Sequence, residues 1–147
     1  MKISAIMTTN VFSLPPDTPV SKAVDLLISR KISGLPVVDE AGRLIGMFTE
    51  KDVLRAILPS YVSQVGQFSY ENGPHTIRNK VTRLSQMKVS EAMRREVVKI
   101  KSDTPLSEAA RIMLVQNVRR VPVVDAENRL IGIIARSDVL QSLLQQE

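Results

Sequence analysis

Asp17-Thr18-Pro19-Val20-Ser21 returns 86 residues later as Asp103-Thr104-Pro105-Leu106-Ser107. The same offset then carries Pro36-Val37-Val38-Asp39 onto Pro122-Val123-Val124-Asp125 and Arg43-Leu44-Ile45-Gly46 onto Arg129-Leu130-Ile131-Gly132. It also carries Asp52-Val53-Leu54 onto Asp138-Val139-Leu140, with no gap anywhere. A gapless repeat of this extent means two copies of one supersecondary unit, each completing a core that it cannot bury alone.

Local physics gives both copies the same elements. Thr18 is suited to cap a helix and Pro19 to begin it; Val20, Ala23, Val24, Leu27 and Ile28 then fall on one helical face. Leu106, Ala109, Ala110, Met113 and Leu114 repeat that stripe. Gly34 is expected to break the first helix. Leu35 to Val38 and Leu44 to Phe48 read as a buried hairpin, with Gly42 in one turn and Asn128 in the other, the residue types that best tolerate positive φ. A closing helix follows, with Val53, Leu54, Ile57 and Leu58 matching Val139, Leu140, Leu143 and Leu144 as its apolar face. Short strands are expected at 11–14 and 97–101.

The expected fold class is α/β (α+β): two β-α-β-β-α repeats packed sheet-to-sheet with pseudo-two-fold symmetry. A unit of about 50 residues is too small to bury two helices and a sheet alone. The expected organisation is repeat 1 over residues 1–58, an inter-repeat segment over 59–87 and repeat 2 over 88–147. The middle segment holds Tyr61, Phe68 and Tyr70 and a Gly73-Pro74 break, with a short helix through Ile77, Val81 and Leu84. Its aromatics are expected to bury against the flank, and His75 to sit in an exposed loop.

Composition narrows the chemistry. There is no cysteine and one histidine, which removes disulfides, thiolate catalysis and His or Cys metal clusters. No apolar run approaches the roughly 20 residues that span a bilayer, and the first residues lack a secretory pattern, so a cytoplasmic protein without membrane insertion is expected. A net charge of +5 favours anionic partners. Aromatics at 3% argue against a base-stacking surface for nucleic acid. No nucleophile has an evident base, so an enzyme is not expected.

The element order, the Pro-Val-Val-Asp strand and a Gly-x-x-Thr-x-x-Asp segment entering the last helix resemble the CBS domain family. The segment is complete as Gly46-Met47-Phe48-Thr49-Glu50-Lys51-Asp52 and stands as Gly132-Ile133-Ile134-Ala135-Arg136-Ser137-Asp138 in the second copy, where the threonine is absent. The resemblance implies a stand-alone pair of such domains, a regulatory module binding AMP, ADP, ATP or S-adenosylmethionine between its repeats. Magnesium would enter only as the companion of a polyphosphate, and no other cofactor is implied.

An ionised aspartate accepts hydrogen bonds through both oxygens, so Asp52 and Asp138 are candidates for the hydroxyls of a ribose, with the Thr49 hydroxyl reaching sugar or phosphate. Lys51, Arg136 and Ser137 lie beside them at helix starts whose free N–H groups suit a phosphate. Thr49 with Asp52 is equally a helix cap. By the same resemblance Arg119 and Arg120 meet phosphates, adenine lies near Leu35-Pro36 or Val121-Pro122, and Met7-Thr8 and Met93-Arg94 close the pocket. Two unequal sites are expected, the second less secure for want of its threonine. The implied partners are the adenosyl ligand, a second copy of the chain in a disc-like homodimer, and a separate effector protein. The alternatives are a ligand-free dimerisation module and, behind it, a nucleic-acid-binding protein using Arg78, Lys80, Arg83, Lys88, Arg94 and Arg95.

Overall fold

The computed structural model of the protein describes residues 1–58 and 74–145. Tyr61, Phe68, Tyr70 and Gly73 lie outside the described residues. In chain order the elements are α1 (Val20–Arg30), β1 (Gly34–Val38), β2 (Leu44–Thr49), α2 (Glu50–Ile57), α3 (Pro74–Ser85) and α4 (Val89–Ala92). The second half holds β3 (Ile100–Lys101), α5 (Leu106–Gln116), β4 (Arg120–Val124), β5 (Leu130–Ala135) and α6 (Arg136–Gln145). Strands β1 and β2 form a two-stranded sheet; β3, β4 and β5 form a three-stranded one, with β3 parallel and β5 antiparallel to β4.

The chain divides into two compact units, each holding most of one repeat together with the segment that leads into the other. One comprises Met1–Ser13, Val38–Ile45 and Glu96–Glu147; the second comprises Leu14–Val37 and Gly46–Arg95. In the first unit Ile3 is fully buried in a core with Ile100, Leu106, Met113, Val121, Val123 and Ile134, and Thr8 exchanges both backbone hydrogen bonds with Ile133 at 2.9 Å. In the second, Val89 is fully buried, and Arg94 exchanges the same pair with Met47 at 2.9 Å. The 86-residue offset relates Ile3 to Val89 and Thr8 to Arg94, so the lead-in segments obey the repeat as well.

That close backbone pairing requires the two strand glycines. A Cβ on Gly46 would sit 2.9 Å from the Arg94 carbonyl oxygen and 2.5 Å from Met93 Sδ. On Gly132 it would meet Met7 Sδ at 2.7 Å and the Thr8 carbonyl at 3.1 Å. A thioether can swing aside, but a paired carbonyl cannot. Gly46→Ala is therefore expected to cost about 1–3 kcal/mol of stability and Gly132→Ala less. Urea unfolding of both variants checks this, and an equal or larger loss for Gly132→Ala would contradict it.

Asp39 and Asp125, the last residues of the repeated Pro-Val-Val-Asp, clamp the hairpin turns. Asp39 Oδ1 accepts from the backbone N–H of Ala41 and Arg43, and Oδ2 from Arg43 Nε at 2.9 Å. Asp125 does the same with Glu127 and Arg129. The Arg43 and Arg129 backbone N–H groups, ahead of their guanidinium groups, hold both carboxyls below the usual carboxylate range. Gly42 and Asn128 take positive φ, 82° and 66°, as their types suggest. The two turn tips meet within the first unit: Leu44 N–H donates to the Asn128 carbonyl and Leu130 N–H to the Gly42 carbonyl, each at 2.9 Å.

Several expected boundaries move. Helices α1 and α5 are preceded by Pro19 and Pro105 in the cap position, with no side-chain cap. Thr18 Oγ1 instead donates to the Pro15 carbonyl at 2.8 Å. Gly34 does not break α1, which ends at Lys31 in the left-handed region; Gly34 opens β1, where a Cβ would lie 2.8 Å from Thr49 Cγ2. The strand expected at 11–14 reduces to one parallel bridge from Leu14 to Val37. Pro15 stands where the second copy has Lys101, and a proline offers no N–H for the next rung. The helix through Ile77, Val81 and Leu84 is present as α3, and His75 lies within it rather than in a loop.

Candidate functional site

In the second unit, β2 delivers Thr49 directly into α2. Thr49 N–H donates to Asp52 Oδ2 at 2.8 Å and Thr49 Oγ1 to the same oxygen at 3.1 Å, while the Asp52 N–H donates back to Thr49 Oγ1 at 3.4 Å. This is a complete capping box. Asp52 is only 6% exposed, yet its second oxygen is served too: Arg55, one turn along α2, donates from Nη1 to Oδ1 at 3.5 Å. Sequence reasoning passed over Arg55, although an acidic residue three positions before a basic one on a helix is a recognisable pair. Lys51 is exposed, with no partner among the described residues.

In the first unit, β5 delivers Ala135 into α6. Asp138 Oδ2 accepts from the Ala135 N–H at 3.0 Å, which keeps half of the box. Register brings the arginine pair to this helix start: Arg120 is opposite Ala135 across β4 and β5, and the Arg136 N–H donates to the Arg119 carbonyl at 2.7 Å. Arg119, Arg120, Arg136 and Ser137 are exposed, and Arg136 Nη2 donates to the Val118 carbonyl at 3.0 Å. Thr8, exposed, pairs with Ile133 and so belongs with Asp138. Arg94 holds the equivalent place beside Met47 in the unit of Asp52.

Leu35, Pro36, Val121 and Pro122 are all buried core residues. Any base at these positions would meet main chain rather than their side chains. The apolar groove of the second unit, about 490 Å³, is lined by Val24, Leu27, Ile28, Val53 and Leu54 among others and does not include Asp52. Helical spacing explains this, since Glu50 and Leu54 lie about 160° round α2 from Asp52 and Val53 about 100°. Among the described residues no three acidic or histidine groups are placed to hold a metal, and no helix is long and apolar enough to cross a membrane.

The repeat, the hairpin clamps and the paired helix starts coincide with the family model described as CBS domain, which matches residues 3–59 and again 89–145. The chain is a member of the CBS domain family. It is 32% identical over 97% of its length to a CBS domain-containing protein of Dictyostelium discoideum, of which it covers 91%. The crystal structure of CBSX2 in complex with AMP, a CBS-pair protein from Arabidopsis thaliana, is similar with a TM-score of 0.75 and 29% identity, over 98% of this chain and 96% of that one. An inosine-5'-monophosphate dehydrogenase of Methanocaldococcus jannaschii is 33% identical over 95% of this chain, which spans only 23% of the enzyme. The tandem CBS pair is thus a unit found both nearly by itself and within a larger enzyme.

Proposed function

We propose that this CBS pair is a non-catalytic regulatory module that binds an adenine nucleotide, AMP in the first instance, and passes the signal to a separate effector protein. The observation that carries the reading is the repeated carboxylate, Asp52 and Asp138, held by backbone N–H groups at the start of α2 and α6. Such an anchored anion is preorganised to accept ribose hydroxyls, while the free N–H groups of the first helical turn suit a phosphate. The AMP complex of CBSX2 supports the ligand class. Arg119, Arg120 and Ser137 supply cations and a hydroxyl for phosphates at the second repeat, and Lys51 and Arg94 supply cations at the first. Magnesium would arrive only with a polyphosphate. Regulation follows if nucleotide binds two arrangements of the module, or of its dimer, with unequal affinity.

Calorimetric titration with AMP, ADP, ATP and S-adenosylmethionine tests this. Saturable binding is expected for at least AMP, and Asp52→Ala and Asp138→Ala are expected to weaken it unequally, the larger loss being about tenfold or more because a charge-assisted hydrogen bond is removed. Absence of binding to all four would leave a structural dimerisation module as the better reading.

A further inference from the structure

The two aspartates differ in what remains of them for a ligand. A carboxylate offers roughly four acceptor directions, two on each oxygen. Asp52 Oδ2 accepts from Thr49 N–H and Thr49 Oγ1, and Oδ1 accepts from Arg55. About one direction is left. Asp138 accepts only from the Ala135 N–H among the described residues, so about three are left, including the whole of Oδ1. The repeat offset places Gln141 where Arg55 stands, and alanine where Thr49 stands, so both competing side-chain donors are confined to the first repeat.

We infer that Arg55 competes with the ligand for Asp52, so that the ribose diol is taken up preferentially at Asp138, in the repeat whose motif is incomplete. The inference rests on the nucleotide-binding reading above. A cis-diol brings two donors. Asp138 can receive both, one on each oxygen, without breaking an internal bond. Asp52 can receive both only if Arg55 swings away or the Thr49 hydroxyl proton turns from Oδ2, which gives up one internal hydrogen bond while both bonds of the capping box stay in place. Arg55 is the cheaper to displace, because its side chain is 59% exposed and can be satisfied by water. An ion pair with so exposed a member is worth at most about 1 kcal/mol, so the restraint should be worth about two- to fivefold in affinity. The threonine that completes the sequence motif therefore spends the aspartate on its own helix.

The test titrates adenosine, which has the diol but no phosphate for an arginine to attract, into full-length Asp138→Ala and into Asp138→Ala carrying Arg55→Gln. Both report the first repeat alone, and thermal unfolding verifies that both are folded. AMP titrated into the unaltered chain is read alongside. Arg55→Gln is expected to tighten adenosine about two- to fivefold, with a smaller gain for 2′-deoxyadenosine, and Asp52→Ala is expected to retain more adenosine binding than Asp138→Ala. If the unaltered chain binds AMP but Arg55→Gln leaves adenosine binding unchanged, weakens it or shows none, the inference is overturned and the functional reading stands. If the unaltered chain binds no AMP, both fall.

Discussion

Phe48→Ala is expected to lower the stability of the protein by about 3–5 kcal/mol, a loss comparable to the whole margin of many small domains. Phe48 is fully buried, the largest of the completely enclosed side chains, and lies in β2 immediately before Thr49. Truncation removes the transfer energy of the ring and leaves a cavity that a short strand between a hairpin partner and a helix cannot close. Because the next residue begins the capping box, a shift in β2 also displaces the Asp52 carboxylate. Urea unfolding should show the midpoint falling, and the first repeat should lose ligand affinity even where the variant is still folded. A midpoint within experimental error of the unaltered chain would mean that Phe48 is not the keystone its burial suggests. The contrast with Gly46→Ala is informative: that change overfills a neighbouring position in the same strand, whereas this one empties it.

The fold could be read to the extent that it is a matter of offset and local chemistry. Repeat, hairpins and both closing helices follow from the 86-residue recurrence, and the positive-φ turns from Gly42 and Asn128. What could not be read depends on distant pairing. Nothing local to Thr8 or Arg94 announces that they bridge to Ile133 and Met47. The first helix ends before Gly34 because Lys31 takes the left-handed region at the C-cap, and lysine carries no local signal for it, unlike glycine. At the site, motif completeness pointed to the first repeat, but a motif records residue types and not which lone pairs they consume. Asp52 is spent on Thr49 and Arg55, and only the hydrogen bonds reveal it.

Under the proposed homodimer, replacing Leu140 and Leu144 together by glutamate is expected to leave the chain monomeric. Periodicity assigned Ile28, Leu54, Leu114, Leu140 and Leu144 to buried helical faces, yet they are 70%, 50%, 82%, 58% and 77% exposed. A helix in a unit this small can bury only part of so wide a stripe, and a surface of this kind on a folded protein usually marks an interaction site. In the first unit α5 and α6 pack against one another, and they expose Leu114 and Val115 on the one and Leu140, Leu143 and Leu144 on the other. A second copy, brought together about a two-fold axis, would cover these side chains with the same residues from its partner. Burying one leucine is worth about 1.5–3 kcal/mol, and two-fold symmetry counts each position twice. Losing Leu140 and Leu144 and placing glutamates at the contact would then remove most of the roughly 8 kcal/mol that holds a micromolar dimer. Light scattering after size exclusion should report twice the single-chain mass for the unaltered protein and the single-chain mass for the double variant, with unfolding midpoints that agree below the dissociation constant of the dimer, where both chains are monomers. A monomeric unaltered chain would overturn the proposed pairing through α5 and α6.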